Sequence, residues 1–211
     1  MTHITSTERV ISYIDGFNLY HGLRSKNFKR YYWINLVNLT KALLKENQAF
    51  IHCHYFTARI RQKTTTQSVE RQSLWLDALG TIADLSCHYG HYLSKAQRCK
   101  SCGASWEIHE EKMTDVNIAT QIIIDAYEDR FDTAFLISGD SDLVTPIKFI
   151  KNRFPDKKIV VAFPPNRTSV ALKNTANQWL VIGQDKLRQN LLPNQITTKN
   201  GYVLERPPSW Y

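Results

Sequence analysis

Asp15 directly follows the apolar run Ile11-Ser-Tyr-Ile14, and Asp140 and Asp142 follow Phe135-Leu-Ile137 across Ser138-Gly139. Asp115 comes after Thr114, in phase with Ala119, Ile122 and Ala126 on the apolar face of a helix-like stretch. If the strands are parallel, acids at their ends meet at one sheet edge, and open parallel sheets bind ligands outside the carboxyl ends of their strands. Crowded carboxylates repel one another, so they take up protons or recruit cations. Oxygen ligands of this hardness suit Mg²⁺ or Mn²⁺. One or two such ions can activate water and stabilise the leaving oxygen in phosphodiester cleavage. Each acid alone has a plainer reading: Asp15-Gly16 as a turn, Asp115 as a favourable charge at a helix N-terminus, Asp142 as an N-cap. Their joint placement is what argues for a site.

The elements that must position these acids alternate along the chain. Residues 9–14, 50–58, 134–137, 158–163 and 179–182 read as strands, and 35–45, 66–79, 115–127, 143–154 and 169–175 read as helices. Such alternation implies an α/β fold with a mostly parallel central sheet. Residues 84–110 are aromatic, turn-rich and cysteine-bearing, and read as a small hairpin insertion. From 186 to 211 the chain carries Pro193, Pro207 and Pro208 and reads as an irregular C-terminal tail that Trp210 and Tyr211 could dock. The apolar runs, such as 133–137 and 159–163, fall far short of the roughly 20 residues a membrane span needs, so no membrane partner is expected. The opening MTHITSTERV lacks a basic stretch followed by an apolar one, so a cytoplasmic protein with reduced cysteines is expected.

Three segments resemble the signatures of the NYN domain, and more specifically its bacterial LabA-like branch, a relative of PIN-domain nucleases. They are Tyr13-Ile-Asp-Gly-Phe-Asn-Leu-Tyr20, Glu111-Lys-Met-Thr-Asp-Val-Asn-Ile-Ala119 and Leu136-Ile-Ser-Gly-Asp-Ser-Asp-Leu143, followed by Val160-Val-Ala-Phe-Pro-Pro165. The resemblance spans about residues 8–185. It implies a PIN-like three-layer sandwich and a metal-dependent ribonuclease with Asp15, Asp115, Asp140 and Asp142 as the catalytic, metal-holding acids. Asn18 matches the polar residue after the first acid; its amide can orient a water, contact phosphate or cap the turn. Ser138 and Ser141 are candidates for phosphate hydrogen bonds, or ordinary turn residues. The rival reading is a non-catalytic RNA-binding or regulatory module on the same fold. A phosphatase with an aspartyl nucleophile is disfavoured, because position 17, two residues after Asp15, is Phe17 rather than an acid.

The formal charge is +8, and residues 1–63 hold ten basic against three acidic residues, 10 − 3 = +7. Such a bias suits a polyanion, or simply a solubilising surface. Arg24, Lys26, Lys29 and Arg30 follow the first strand beside Tyr31, Tyr32 and Trp33, and Arg59, Arg61 and Lys63 follow the second. Basic residues interleaved with aromatics fit single-stranded nucleic acid, which the resemblance makes RNA. Lys112 and Arg167 are further candidates for phosphate contact. Cys99-Lys-Ser-Cys102-Gly103 is half of a zinc knuckle, with His91 and His109 among the candidates for further ligands. Free thiols or a redox pair are the other readings of the two cysteines, whereas Cys53 reads as core. Oligomeric state is left open.

Overall fold

The computed structural model describes residues 7–60 and 66–211. Arg61 and Lys63 lie outside them. The strands are β1 (Glu8–Asp15), β2 (Gln48–Ala58), β3 (Leu85–Arg98), β4 (Ser105–Lys112), β5 (Thr133–Ile137), β6 (Lys158–Phe163), β7 (Gln178–Val181), β8 (Gln195–Thr197) and β9 (Val203–Glu205). The α-helices are α1 (Gly16–Ser25), α2 (Leu36–Lys41), α3 (Thr66–Leu79), α4 (Thr114–Tyr127), α5 (Val144–Arg153), α6 (Val170–Thr175) and α7 (Gln184–Gln189). Seven strands form one sheet in the order β4-β3-β2-β1-β5-β6-β7. Every pairing in it is parallel except β3 with β4.

The sheet is covered on both faces, which is why its central strands read as continuous apolar runs. Side chains alternate along a strand. Val10 and Ile14 of β1 enter a core with Leu19, Leu23, Leu76 and Leu79 from α1 and α3. Ile11 and Tyr13 enter a second core with Ile118, Ile122, Ile147 and Leu172 from α4, α5 and α6. The same alternation sends Asp15 to the α4 side. The result is the helix–sheet–helix sandwich of the PIN-like kind that the resemblance implied.

Behind the site, on this same face, a polar network runs from the core to the half-buried His88. The Tyr13 hydroxyl donates to Asp125 Oδ2 at 2.6 Å, and His54 Nε2 lies 3.3 Å from the same oxygen. His54 Nδ1 lies 2.9 Å from His88 Nε2. Burial opposes ionisation of Asp125, but hydrogen bonds from His54 and Tyr13 outweigh it and hold the carboxyl below its ordinary range.

Three departures from the sequence expectation have physical causes. The cysteine hairpin is rooted in the main sheet: Leu85 to Gly90 pair with β2, and only then does β3 run on beyond the sheet edge to pair with β4. Tyr31 and Trp33 are core residues at 1% and 0% exposure, so neither stacks on nucleic acid; of the three aromatics after the basic run only Tyr32 stays near the surface. The tail is ordered. It forms α7 and the β8–β9 hairpin, and Trp210 packs edge-on against Tyr32 at 5.6 Å. Tyr211 remains exposed.

Candidate active site

The site lies where β1 and β5 end side by side, Ile14 pairing with Ile137. Asp15 is the N-cap of α1: its Oδ1 accepts from the Asn18 amide at 3.0 Å. Its Oδ2 accepts from Asn18 Nδ2 at 2.6 Å and from the Ser138 hydroxyl at 2.8 Å. Ser138 Oγ in turn accepts from the Asp140 amide at 3.0 Å, and Asn18 Oδ1 accepts from the Gly139 amide at 3.3 Å. Asp140 caps the next turn, its Oδ1 accepting from the Asp142 amide at 3.0 Å. The capping residues that start two helical turns are therefore also the residues that carry the acids.

The third acid comes from α4. Met113 adopts the left-handed backbone conformation, φ 82°, and reverses the chain from β4 into the helix. Thr114 then donates through both its amide and its hydroxyl to Glu111 Oε1. This turn places Asp115 over the sheet edge. Carboxylate oxygens of Asp15, Asp115 and Asp140 all lie within 4.8 Å of one another. Among the described residues, this is the only cluster of acids, histidines or cysteines arranged to hold a metal ion.

The electrostatics agree with the geometry. Asp115 is pushed up to about 6, first by burial and then by the negative charges of Asp15, Asp140, Glu111 and Asp142. Asp15 is also raised, chiefly by burial, against the lowering effect of its hydrogen bonds to Asn18 and Ser138. An apolar surround without cations would keep such groups protonated; a hard divalent cation would offset the repulsion.

The sequence-derived candidates divide. Asp15, Asp115 and Asp140 converge, whereas Asp142 is exposed, and its charge reaches Asp115 without its joining the triad. Ser138 is 0% exposed and its hydroxyl is shared between Asp15 and Asp140, so it braces the acids and is closed to a phosphate. Asn18 has both ends of its amide engaged, on Asp15 and on Gly139. Ser141 is exposed at the start of the turn after β5. Arg24 and Lys26 stand exposed at the end of α1 and Lys112 at the end of β4. The Arg59 guanidinium lies over the Tyr89 ring at 4.9 Å, just past the end of β2. The backbone of Arg167 abuts Gly139, where an added Cβ would meet the Arg167 carbonyl at 2.9 Å. Glu111, which braces Thr114 at the start of α4, is not among the sequence-derived candidates, although it stands three residues before Thr114 in the 111–119 segment.

The zinc set does not assemble around His91. Cys99 and Cys102 sit at the tip of the β3–β4 hairpin, where the Gly103 amide donates to Cys99 O at 3.0 Å. His91 sits at the root of the hairpin, opposite Lys112. Eight residues of extended strand separate it from Cys99, roughly 25 Å. His109 pairs with Ser94 in register, and its side chain lies outside the described residues. Amides of Cys102 and Ser101 lower the Cys99 thiol, while Cys53 is core, as expected.

A sandwich of this topology with three carboxylates at its carboxyl edge defines a PIN-like domain of nuclease type. Residues 9–183 match the model of the NYN domain, and the chain belongs to that family. The family points to a nuclease-type hydrolase that is typically dependent on a divalent metal and generally binds RNA. The chain is 27% identical, over 243 aligned positions, to the 6-hydroxy-3-succinoylpyridine 3-monooxygenase of Pseudomonas putida, covering 94% of this chain and 74% of the relative. A crystal structure of a Vibrio parahaemolyticus protein of unknown function shares the fold, with a TM-score of 0.57 at 21% identity over 91% of this chain and 100% of that one. No described helix is long and apolar enough to cross a membrane.

Proposed function

We propose that the protein is a cytoplasmic, metal-dependent ribonuclease of the LabA-like branch that cleaves single-stranded RNA by hydrolysis. The observation that carries this reading is the convergence of Asp15, Asp115 and Asp140. These three would hold Mg²⁺ or Mn²⁺. When bound, the ion supplies Lewis acidity to water and to the scissile phosphate. Asp142 adds negative potential at the rim. Asn18 and Ser138 keep Asp15 in one rotamer, and so act as positioning residues. Arg24, Arg59, Lys112 and Arg167 orient the phosphate chain, with Ser141 at the mouth of the site. Cys99 and Cys102 could complete a zinc site only with ligands other than His91.

The activity printed for the Pseudomonas putida relative is oxygenation of a substituted pyridine, at 27% identity. The clustered hard oxygen donors favour hydrolysis instead. The test is cleavage of a labelled single-stranded RNA in Mg²⁺ and in Mn²⁺. Asp140→Asn is expected to lower the rate by several hundred-fold or more, the order seen when a charge-stabilising group is removed, with an unchanged thermal transition. Undiminished cleavage by that variant sinks the assignment. RNA binding without turnover in either metal selects the non-catalytic alternative.

A further inference from the structure

Beside the acids lies a cavity of about 320 Å³, within the range of small-ligand pockets, roughly 300–1,000 Å³. It is lined by Phe17, Tyr20, Tyr32, Tyr92 and Trp210 together with His21 and Arg71. The rings line it in two groups. Phe17 meets Tyr92 edge-on at 6.3 Å, Tyr20 lies 5.3 Å from Tyr32, and Tyr32 lies 5.6 Å from Trp210. The structure thus draws the aromatic lining from α1, from the root of the β3 arm and from the C-terminal segment.

Two observations connect this cavity with the acids. Gly16 and Phe17, which line it, directly follow Asp15. Arg167 packs its backbone on Gly139 of the acid loop, and its charge, together with that of Arg24, acts on His21 in the lining. Burial and these two guanidiniums hold His21 below its ordinary range, so a neutral imidazole offers one donor and one acceptor to a ring edge. Among the described residues Arg71 makes two long contacts, to Ser68 Oγ at 3.4 Å and Ser209 Oγ at 3.5 Å, and its five-donor fork lines the cavity. An aromatic slot with a few polar groups, with the charges of Arg167 and Arg24 acting on its His21, suits a planar heteroaromatic ring tethered to a phosphate.

We propose that this cavity is a nucleobase subsite: it takes the base of one nucleotide of a single-stranded RNA whose adjoining phosphate lies at Asp15, Asp115 and Asp140. The proposal rests on the ribonuclease reading and adds to it a fixed register between base and scissile bond. Stacking on such rings is sequence-tolerant, because every base has a π-face.

The test uses the full chain, a labelled oligoribonucleotide, and the same oligoribonucleotide carrying one abasic residue at each position in turn. The wild type should lose about ten-fold in kcat/KM when the abasic residue sits at one position beside the cleaved bond, and little elsewhere. Tyr20→Ala should show that loss already on intact RNA and no further loss on that abasic RNA, whereas Tyr20→Phe should behave as wild type. Tyr20 is 43% exposed, so its truncation spares the core; Tyr92→Ala provides the same test from the arm. Wild-type rates in both alanine variants, or losses that simply add to the abasic effect, overturn the subsite and leave the ribonuclease reading standing. If the wild type cleaves no RNA, titration with adenosine and uridine 5′-monophosphates decides. Quenching of tryptophan fluorescence in the wild type but not in Tyr20→Ala supports the subsite, and no quenching in either overturns it.

Discussion

Asp15 and Asp115 are both raised, but their situations differ. Asp15 is enclosed and takes three hydrogen bonds, whereas Asp115 stands partly exposed and feels four other carboxylates. A folded-state value of about 6 for Asp115, against about 4 in an unfolded chain, means that the folded protein holds its proton more tightly. The unfolded state therefore ionises first, and stability of the metal-free protein should fall as pH rises from about 4 to about 6. Partial exposure of Asp115 reduces the effect below the ~1.4 kcal/mol per pKa unit of a fully sequestered group. Asp115→Asn should flatten that fall in urea titrations across this window. Proton and metal compete for the same oxygens, so Mn²⁺ should raise the transition strongly above about pH 6 and weakly below it. If the metal-free stability rose through this window, the repulsion would not be present. At this scale the sequence was informative about the acids and left Ser138 open between a phosphate contact and a turn residue. Only the packing of β5 against β1 shows it enclosed between Asp15 and Asp140.

At the scale of elements, the site depends on how closely β3, β4 and α4 meet. Gly90 is the point where β3 leaves β2 and takes β4 as partner, and an added Cβ there would meet the Lys112 carbonyl at 2.5 Å. A backbone oxygen cannot swing aside, so Gly90→Ala should cost about 1–3 kcal/mol and should lower cleavage by shifting the turn that carries Asp115. Equal activity and an unchanged urea midpoint would refute this coupling. The same helix also anchors Asp125, which is buried with Tyr13 and His54. Asp125→Ala leaves both partners without their acceptor and should destabilise the fold by about 3 kcal/mol, measured by chemical denaturation. Apart from α1, whose start at Asp15-Gly16 reads as a turn, the strand and helix order was legible because period and composition are local properties. The cysteine hairpin was legible as a hairpin, but its root in the main sheet was not, since that depends on long-range pairing with β2. The tail was opaque for a similar reason: α7 and the β8–β9 hairpin have weak local patterns and gain order from the docking of Trp210.

The distribution of charge belongs to the whole molecule. The basic excess of the first third, read as a single approach for RNA, divides in three dimensions. Arg9 starts β1, at the sheet edge opposite Asp15, and is held by Asp132 and Asp129 at 2.8 and 3.1 Å. Its guanidinium is thereby raised above its ordinary range, mainly through Asp132. Lys45 donates to Gln178 Oε1 at 2.8 Å, and Lys41 sits 5.0 Å over the Phe50 ring. These cations serve the fold. Arg24 and Arg167 act together on His21, and Arg59 stands at the carboxyl end of β2, so these remain the proposed phosphate contacts. If these three and Lys112 are the ones that meet phosphates, the number of counterions released is small. The logarithm of RNA affinity should then fall with the logarithm of salt at a slope of about −3, from ~0.7 per phosphate on a single strand. Arg167→Ala should weaken binding of all RNA sequences alike and reduce that slope by about 0.7. Arg9→Ala should leave the slope unchanged while lowering stability, because its partners are carboxylates of the protein itself. A slope that responds to Arg9 and ignores Arg167 would place the RNA on the opposite edge of the sheet, away from Asp15, Asp115 and Asp140.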